Sequence, residues 1–68
     1  MALEQKDFED LGYEQIDASG KFFYFKIKDM NVSFDSLCGE VFVMKDHMVI
    51  YQGYPKNKEQ LKIIIESL

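Results

Sequence analysis

From Lys21 to Lys28 the chain reads Lys-Phe-Phe-Tyr-Phe-Lys-Ile-Lys. Successive side chains of a strand point to opposite faces, so Phe23, Phe25 and Ile27 share one side. Phe22 and Tyr24 share the other with Lys26 and Lys28. Aromatic residues on both sides predict a strand that needs cover on both. The alternation continues downstream and predicts an antiparallel meander with short turns at Asp29-Met30, Leu37-Cys38 and Asp46-His47. In that register Ile27 faces Val32 and Phe25 faces Phe34. Phe34 then faces Val41, Val32 faces Val43, Val43 faces Ile50, Phe42 faces Tyr51 and Met44 faces Val49. Apolar residues meet apolar residues on one consistent inner side, as cross-strand pairing prefers. That side holds Phe23, Phe25, Ile27, Val32, Phe34, Val41, Val43, Met48 and Ile50. The outer side holds Phe22, Tyr24, Phe42, Met44, Val49 and Tyr51.

Helical patterns flank the meander. At the start, Leu3–Leu11 reads as a short helix, with Phe8 and Leu11 spaced i, i+3 and Gly12 placed to end it. Tyr13–Asp17 reads as a short edge strand, and Ser19-Gly20 as the turn into Phe22. The sheet ends at Gly53-Tyr54-Pro55, since proline cannot donate to a ladder. Asn57 is a natural N-cap, and Gln60 three residues later suggests a capping box. Leu61, Ile64, Ile65 and Leu68 then follow at i, i+3, i+4 and i+7, one face of an amphipathic helix. Ile63 falls opposite that stripe. The expected fold class is α+β: a short N-terminal helix, a four- to five-stranded antiparallel meander, and a C-terminal helix packed on the inner face. Residues 1–68 form a single domain in this reading, with no linker or repeat.

The C-terminal helix covers the inner side, which leaves the outer side as the functional question. Its four aromatics (Phe22, Tyr24, Phe42 and Tyr51) each bring about 150–250 Å² of surface. Even half-exposed they make a patch as large as a typical monomer shows. Three covers are open: the N-terminal helix, a symmetry mate in a homodimer, or a different protein. Tyr, Phe and Met are typical of interface cores.

Charge sharpens the choice of partner. The net charge of −4 is concentrated in residues 1–17, where Glu4, Asp7, Glu9, Asp10, Glu14 and Asp17 stand against Lys6 alone. This is either a solvated surface or an acidic docking segment for a basic partner. The chain has no arginine. Arginine supplies the bidentate contacts on which phosphate and base recognition depend, so direct nucleic-acid binding is disfavoured. The longest apolar runs, Ile63–Ile65 and Val41–Met44, fall far short of the roughly 20 residues that cross a bilayer. With one free thiol, Cys38, the chain reads as cytoplasmic.

Catalytic chemistry finds little footing. Cys38 neighbours Leu37, Gly39 and Glu40, an acidic setting that does not activate a thiol. His47 is the only histidine and lies in an expected turn, so no metal-ligand spacing forms. Asp35 and Glu40 are placed to face each other near a turn, where like charges would raise a pKa. There is no dinucleotide fingerprint and no P-loop. No catalytic residue, cofactor, metal or small-molecule substrate is assigned.

Three segments carry a resemblance. Asp7-Phe8-Glu9-Asp10-Leu11-Gly12-Tyr13, then Gly39-Glu40-Val41-Phe42-Val43, then Lys58-Glu59-Gln60-Leu61-Lys62 resemble small uncharacterised proteins of phages and prophages. The resemblance implies a small accessory protein acting inside a bacterial cell, and it brings no catalytic residues with it. The expected function is non-enzymatic protein–protein contact, with a homodimer through the outer face as the first form. An acidic inhibitor of a host nucleic-acid-binding or defence enzyme is the alternative.

Overall fold

A computed structural model describes residues 3–68. The order of elements is α1 (Gln5–Asp10), β1 (Glu14–Ser19), β2 (Phe22–Ile27), β3 (Met30–Asp35), β4 (Val41–Lys45), β5 (Met48–Gly53) and α2 (Lys58–Glu66). The five strands form one open antiparallel sheet in chain order. This is the expected α+β meander, with β1 present as its fifth strand.

The turns explain why the meander closes so tightly. Asp46 and His47 both have positive φ, 54° and 64°, the backbone of a two-residue turn whose twist matches its strands. This turn falls where the sequence places it. Two others move. The β2–β3 turn is Lys28-Asp29, with Lys28 at φ 53° and Ile27 opposite Met30. Phe25 therefore faces Val32 and Phe23 faces Phe34, two residues from the expected register. A shift of two keeps every side chain on its face, so the face assignment of β2 and β3 survives. The β1–β2 turn is Gly20-Lys21, one residue later than expected, with Ser19 opposite Phe22. The β3–β4 pairing of Val32 with Val43 and Phe34 with Val41 is as read from the sequence.

Each edge strand contains a bulge, and the bulges account for the misplaced residues. In β1, Gln15 faces Phe25 and Asp17 faces Tyr24, so Ile16 is the extra residue. In β5, Met44 faces Val49 while Val43 faces Tyr51, so Ile50 is the extra residue. The inserted Ile50 reverses the faces beyond it. Tyr51 is therefore an inner-side residue packed against the core, not an outer one. Met48 and Ile50, expected inside, are 67% and 37% exposed.

Both helices pack on the inner side of the sheet. Phe8 of α1 is fully buried and stacks on Phe25, ring centroids 4.7 Å apart and planes within 7°. It also lies 4.7 Å from Phe34. Leu61 and Ile65 of α2 complete the same core with Val32, Val41 and Val43. Of the expected helical stripe, Ile64 is half-buried and Leu68 is exposed. The first helix thus does not cover the outer face. It is shorter than Leu3–Leu11, and Gly12, at φ 85°, follows its C-cap Leu11. Leu3 and Tyr13 flank it as buried core residues. Asn57 caps α2 by accepting the Gln60 amide at 2.8 Å. Gln60 returns its side-chain oxygen to the Lys56 amide at 2.7 Å, one residue before the position a capping box uses.

Candidate functional site: an open sheet face

With both helices on one side, the strands show what the other side presents. β2 contributes Phe22, Tyr24 and Lys26, and β4 contributes Phe42 and Met44. β3 lies between them and contributes Asn31 and Ser33, with Asp35 at its end. The face is therefore two apolar ridges separated by a channel of short polar side chains. The rings of Phe22 and Tyr24 lie 6.5 Å apart and near parallel, which stiffens the β2 ridge. Lys21 sits 5.1 Å above the Phe22 ring. A hollow of about 360 Å³ opens over β3, walled by Tyr24, Met44, Ile16 and Asp17 and floored by Asn31 and Ser33. Ile16 and Val49 border the face at 51% and 52% exposure. Of the six residues read from the sequence as a candidate interface, Phe22, Tyr24, Phe42, Met44 and Val49 share this face. Tyr51 does not.

The bulged Ile16 is the residue the sequence reading missed. Alternation from the buried Tyr13 puts Ile16 on the outer side with Glu14, but Ile16 lies in an edge segment with no apolar pattern to single it out.

The six acids of residues 1–17 do not converge. Asp7 accepts the Glu4 amide at 2.9 Å, Asp10 pairs with Lys58 at 3.4 Å, and Asp17 accepts the Ala18 amide at 2.8 Å. Glu9 lies on α1 and Glu14 on β1. Asp7 and Glu4 do line an open cleft with Ser36, Asn57, Lys58 and Glu59, where the N-terminal ends of α1 and α2 meet.

The groups with catalytic potential are also apart. Cys38 lies in the β3–β4 loop and His47 in the β4–β5 turn, at opposite ends of β4. Asp35 does not stand against Glu40 as a carboxylate pair. Burial alone would raise its pKa. The Leu37 amide at 3.0 Å, the Lys21 ammonium at 3.2 Å and the Cys38 thiol and amide outweigh burial and hold the group below its usual value. Glu40 instead accepts a Gln52 amide hydrogen bond at 3.0 Å and raises the pKa of Tyr54 by its charge. Among the described residues no group of three potential metal ligands forms, and no helix is long and apolar enough to cross a membrane.

No family model, curated protein or solved structure matches the chain. The geometry of the open face is thus the basis for assigning a role.

Proposed function

We propose that the chain is a non-enzymatic protein-interaction module that docks through the outer face of its sheet. One observation carries this reading. Both helices pack on the inner side, so Phe22, Tyr24, Phe42 and Met44 are only half-buried, shielded by their neighbours on the sheet, with Ile16 and Val49 exposed beside them. The apolar surface still in water forgoes roughly 25 cal/mol per Å², which matters in a domain this small. Aromatic residues and methionine around a short polar channel suit a protein surface. Glu14, Asp17 and Glu40 around the face outnumber Lys21 and Lys26, so it offers no net positive charge to a phosphate backbone.

The role of a phage or mobile-element accessory protein, implied by the resemblance of three segments, belongs to the same proposal. Docking through the acidic N-terminal segment has less geometric support, since Asp7, Asp10 and Asp17 are engaged in local bonds.

Site-specific photo-crosslinking in cells tests the proposal. A photoreactive phenylalanine analogue at position 24 or 42 is expected to trap a protein partner. The same analogue at Ile63, which is 68% exposed on α2, is expected to trap none. Trapping from Ile63 but not from the face would overturn the assignment. Cys38→Ala and His47→Ala are expected to retain full biological activity, and loss of activity in either would reopen a catalytic role.

A further inference from the structure

We propose that the hollow over β3 is a seat for an arginine side chain presented by another protein. This rests on the reading of the outer face as a docking surface, and it names what the partner brings there. The hollow has two kinds of wall. Ile16, Tyr24 and Met44 are apolar or aromatic along their length, and Asp17 is a carboxylate. The floor is Asn31 and Ser33, whose amide and hydroxyl oxygens can accept hydrogen bonds from a guest. Asp17 receives the Ala18 amide on Oδ1 at 2.8 Å, which holds the carboxylate in place and leaves Oδ2 for the same guest.

The charges of the face fix the sign of that guest. Among the described residues the ion pairs join Lys21 to Asp35, Lys45 to Asp29 and Lys58 to Asp10, and none reaches Asp17. Lys26 does not line the hollow and stands opposite Glu14 in the register, an opposite-charge pair across two strands. Glu40 accepts a hydrogen bond from Gln52 on the far side of the sheet. The uncompensated charge at the hollow is therefore negative and belongs to Asp17.

A complementary guest has a positive charge, an apolar stem and several donors. A lysine ammonium is a compact charge that holds its water tightly. A guanidinium is planar and more weakly hydrated, and its five donors can serve a carboxylate at one side and two acceptors below. It also stacks on an aromatic ring, here that of Tyr24. Its methylene stem can lie along Ile16 and Met44. The 68 residues hold no arginine, so a second copy of them does not fill the seat. The occupant is a different protein, with an arginine set in an apolar patch that meets the Phe22 and Phe42 ridges.

NMR titration of the isotope-labelled chain with N-acetyl-arginine N-methylamide tests the seat. The citrulline, lysine and norleucine analogues serve as comparisons, citrulline having nearly the shape of arginine without its charge. The arginine probe is expected to bind in about the millimolar range and to shift the Ile16 and Met44 methyls and the Asn31 side-chain amide. The other three are expected to bind at least about threefold more weakly. Asp17→Asn keeps an acceptor for the Ala18 amide and removes the charge, so it should weaken the arginine probe by a similar factor. Glu9→Gln, the same change of charge on α1, should leave binding unchanged. Circular dichroism shows whether each variant is folded, and if Asp17→Asn unfolds, the four probes on the parent chain decide alone. Equal binding of citrulline or norleucine overturns the cation, and equal binding of lysine overturns the choice of arginine. No shift at the hollow overturns the seat itself. Photo-crosslinking from positions 24 and 42 decides separately whether a protein docks on the face, so the two failures are told apart.

Discussion

Asp35 illustrates how a single side chain sets a loop. Its carboxylate receives the Leu37 amide at 3.0 Å, the Cys38 amide at 3.4 Å and the Lys21 ammonium at 3.2 Å. These bonds hold the β3–β4 loop against the β1–β2 turn. Because the folded pKa lies below the unfolded value of 3.8, the folded state binds fewer protons in that range. The stabilisation is full above that value and is lost as pH falls through the folded pKa. Asp35→Asn is expected to lower the midpoint of thermal unfolding at pH 7 and to flatten its decline between neutral pH and pH 2. An unchanged acid limb would show that other carboxylates drive it. The same residue marks a limit of the sequence. Asp35 near Glu40 reads as a like-charge pair, because spacing along the chain does not show that Lys21 of another turn arrives beside it. Tyr51 is a second case. Its ring lies over Gly53, where an added Cβ would meet the ring's Cζ at 2.8 Å. Gly53→Ala is expected to destabilise the domain by about 1 kcal/mol, because only the tip of the ring must move. In a Tyr51→Ala background that penalty should vanish, which a double-mutant cycle would read.

At the level of elements, pattern and placement part company. The strands and α2 were legible because their periodicity is imposed by burial: Phe23, Phe25, Val32, Phe34, Val41 and Val43 alternate through the register. Asn57 also announced its helix by its chemistry. Neither bulge was legible, since an extra residue in an exposed edge strand disturbs no apolar pattern until the faces are counted beyond it. The side on which α1 packs was not legible either. A six-residue helix with one fully buried side chain offers no stripe to match to a face. Phe8 nevertheless holds that element, stacked on Phe25 and tilted against Phe34. Phe8→Ala is expected to cost about 3–5 kcal/mol, enough to unfold much of a marginal small domain, with loss of the near-ultraviolet signal. A melting midpoint within a few degrees of the parent would mean that α1 docks by other contacts. Asn57→Ala should cost about 1 kcal/mol by freeing the Gln60 amide, visible as a shifted urea midpoint with an unchanged slope.

For the whole molecule, the one-sided placement of the helices makes a plate with a core on one surface and two apolar ridges on the other. Substitutions on the two sides of β2 should therefore separate stability from association. Phe25→Asp buries a charge without a partner and is expected to abolish folding. Tyr24→Asp, at the neighbouring position of the same strand on the opposite surface, is expected to leave the far-ultraviolet spectrum intact while abolishing the crosslink trapped from position 42. If Tyr24→Asp also unfolds the chain, the ridge serves the monomer and the docking surface lies elsewhere. The sequence supplied most of this surface, since Phe22, Tyr24, Phe42 and Met44 follow from alternation alone. It did not supply the channel as a feature, because Asn31 and Ser33 read as ordinary solvent-facing residues until they lie between the two ridges.

The β3–β4 loop gives the plate a native reporter. Cys38 is exposed there and is the chain's only thiol, so a spin label attaches at one site without any mutation. A protein seated on the outer face, about 10 Å away as stacked sheets lie, reaches the strand ends beside this loop and should slow the label's tumbling and broaden its lines. Docking through another surface would leave the lines sharp.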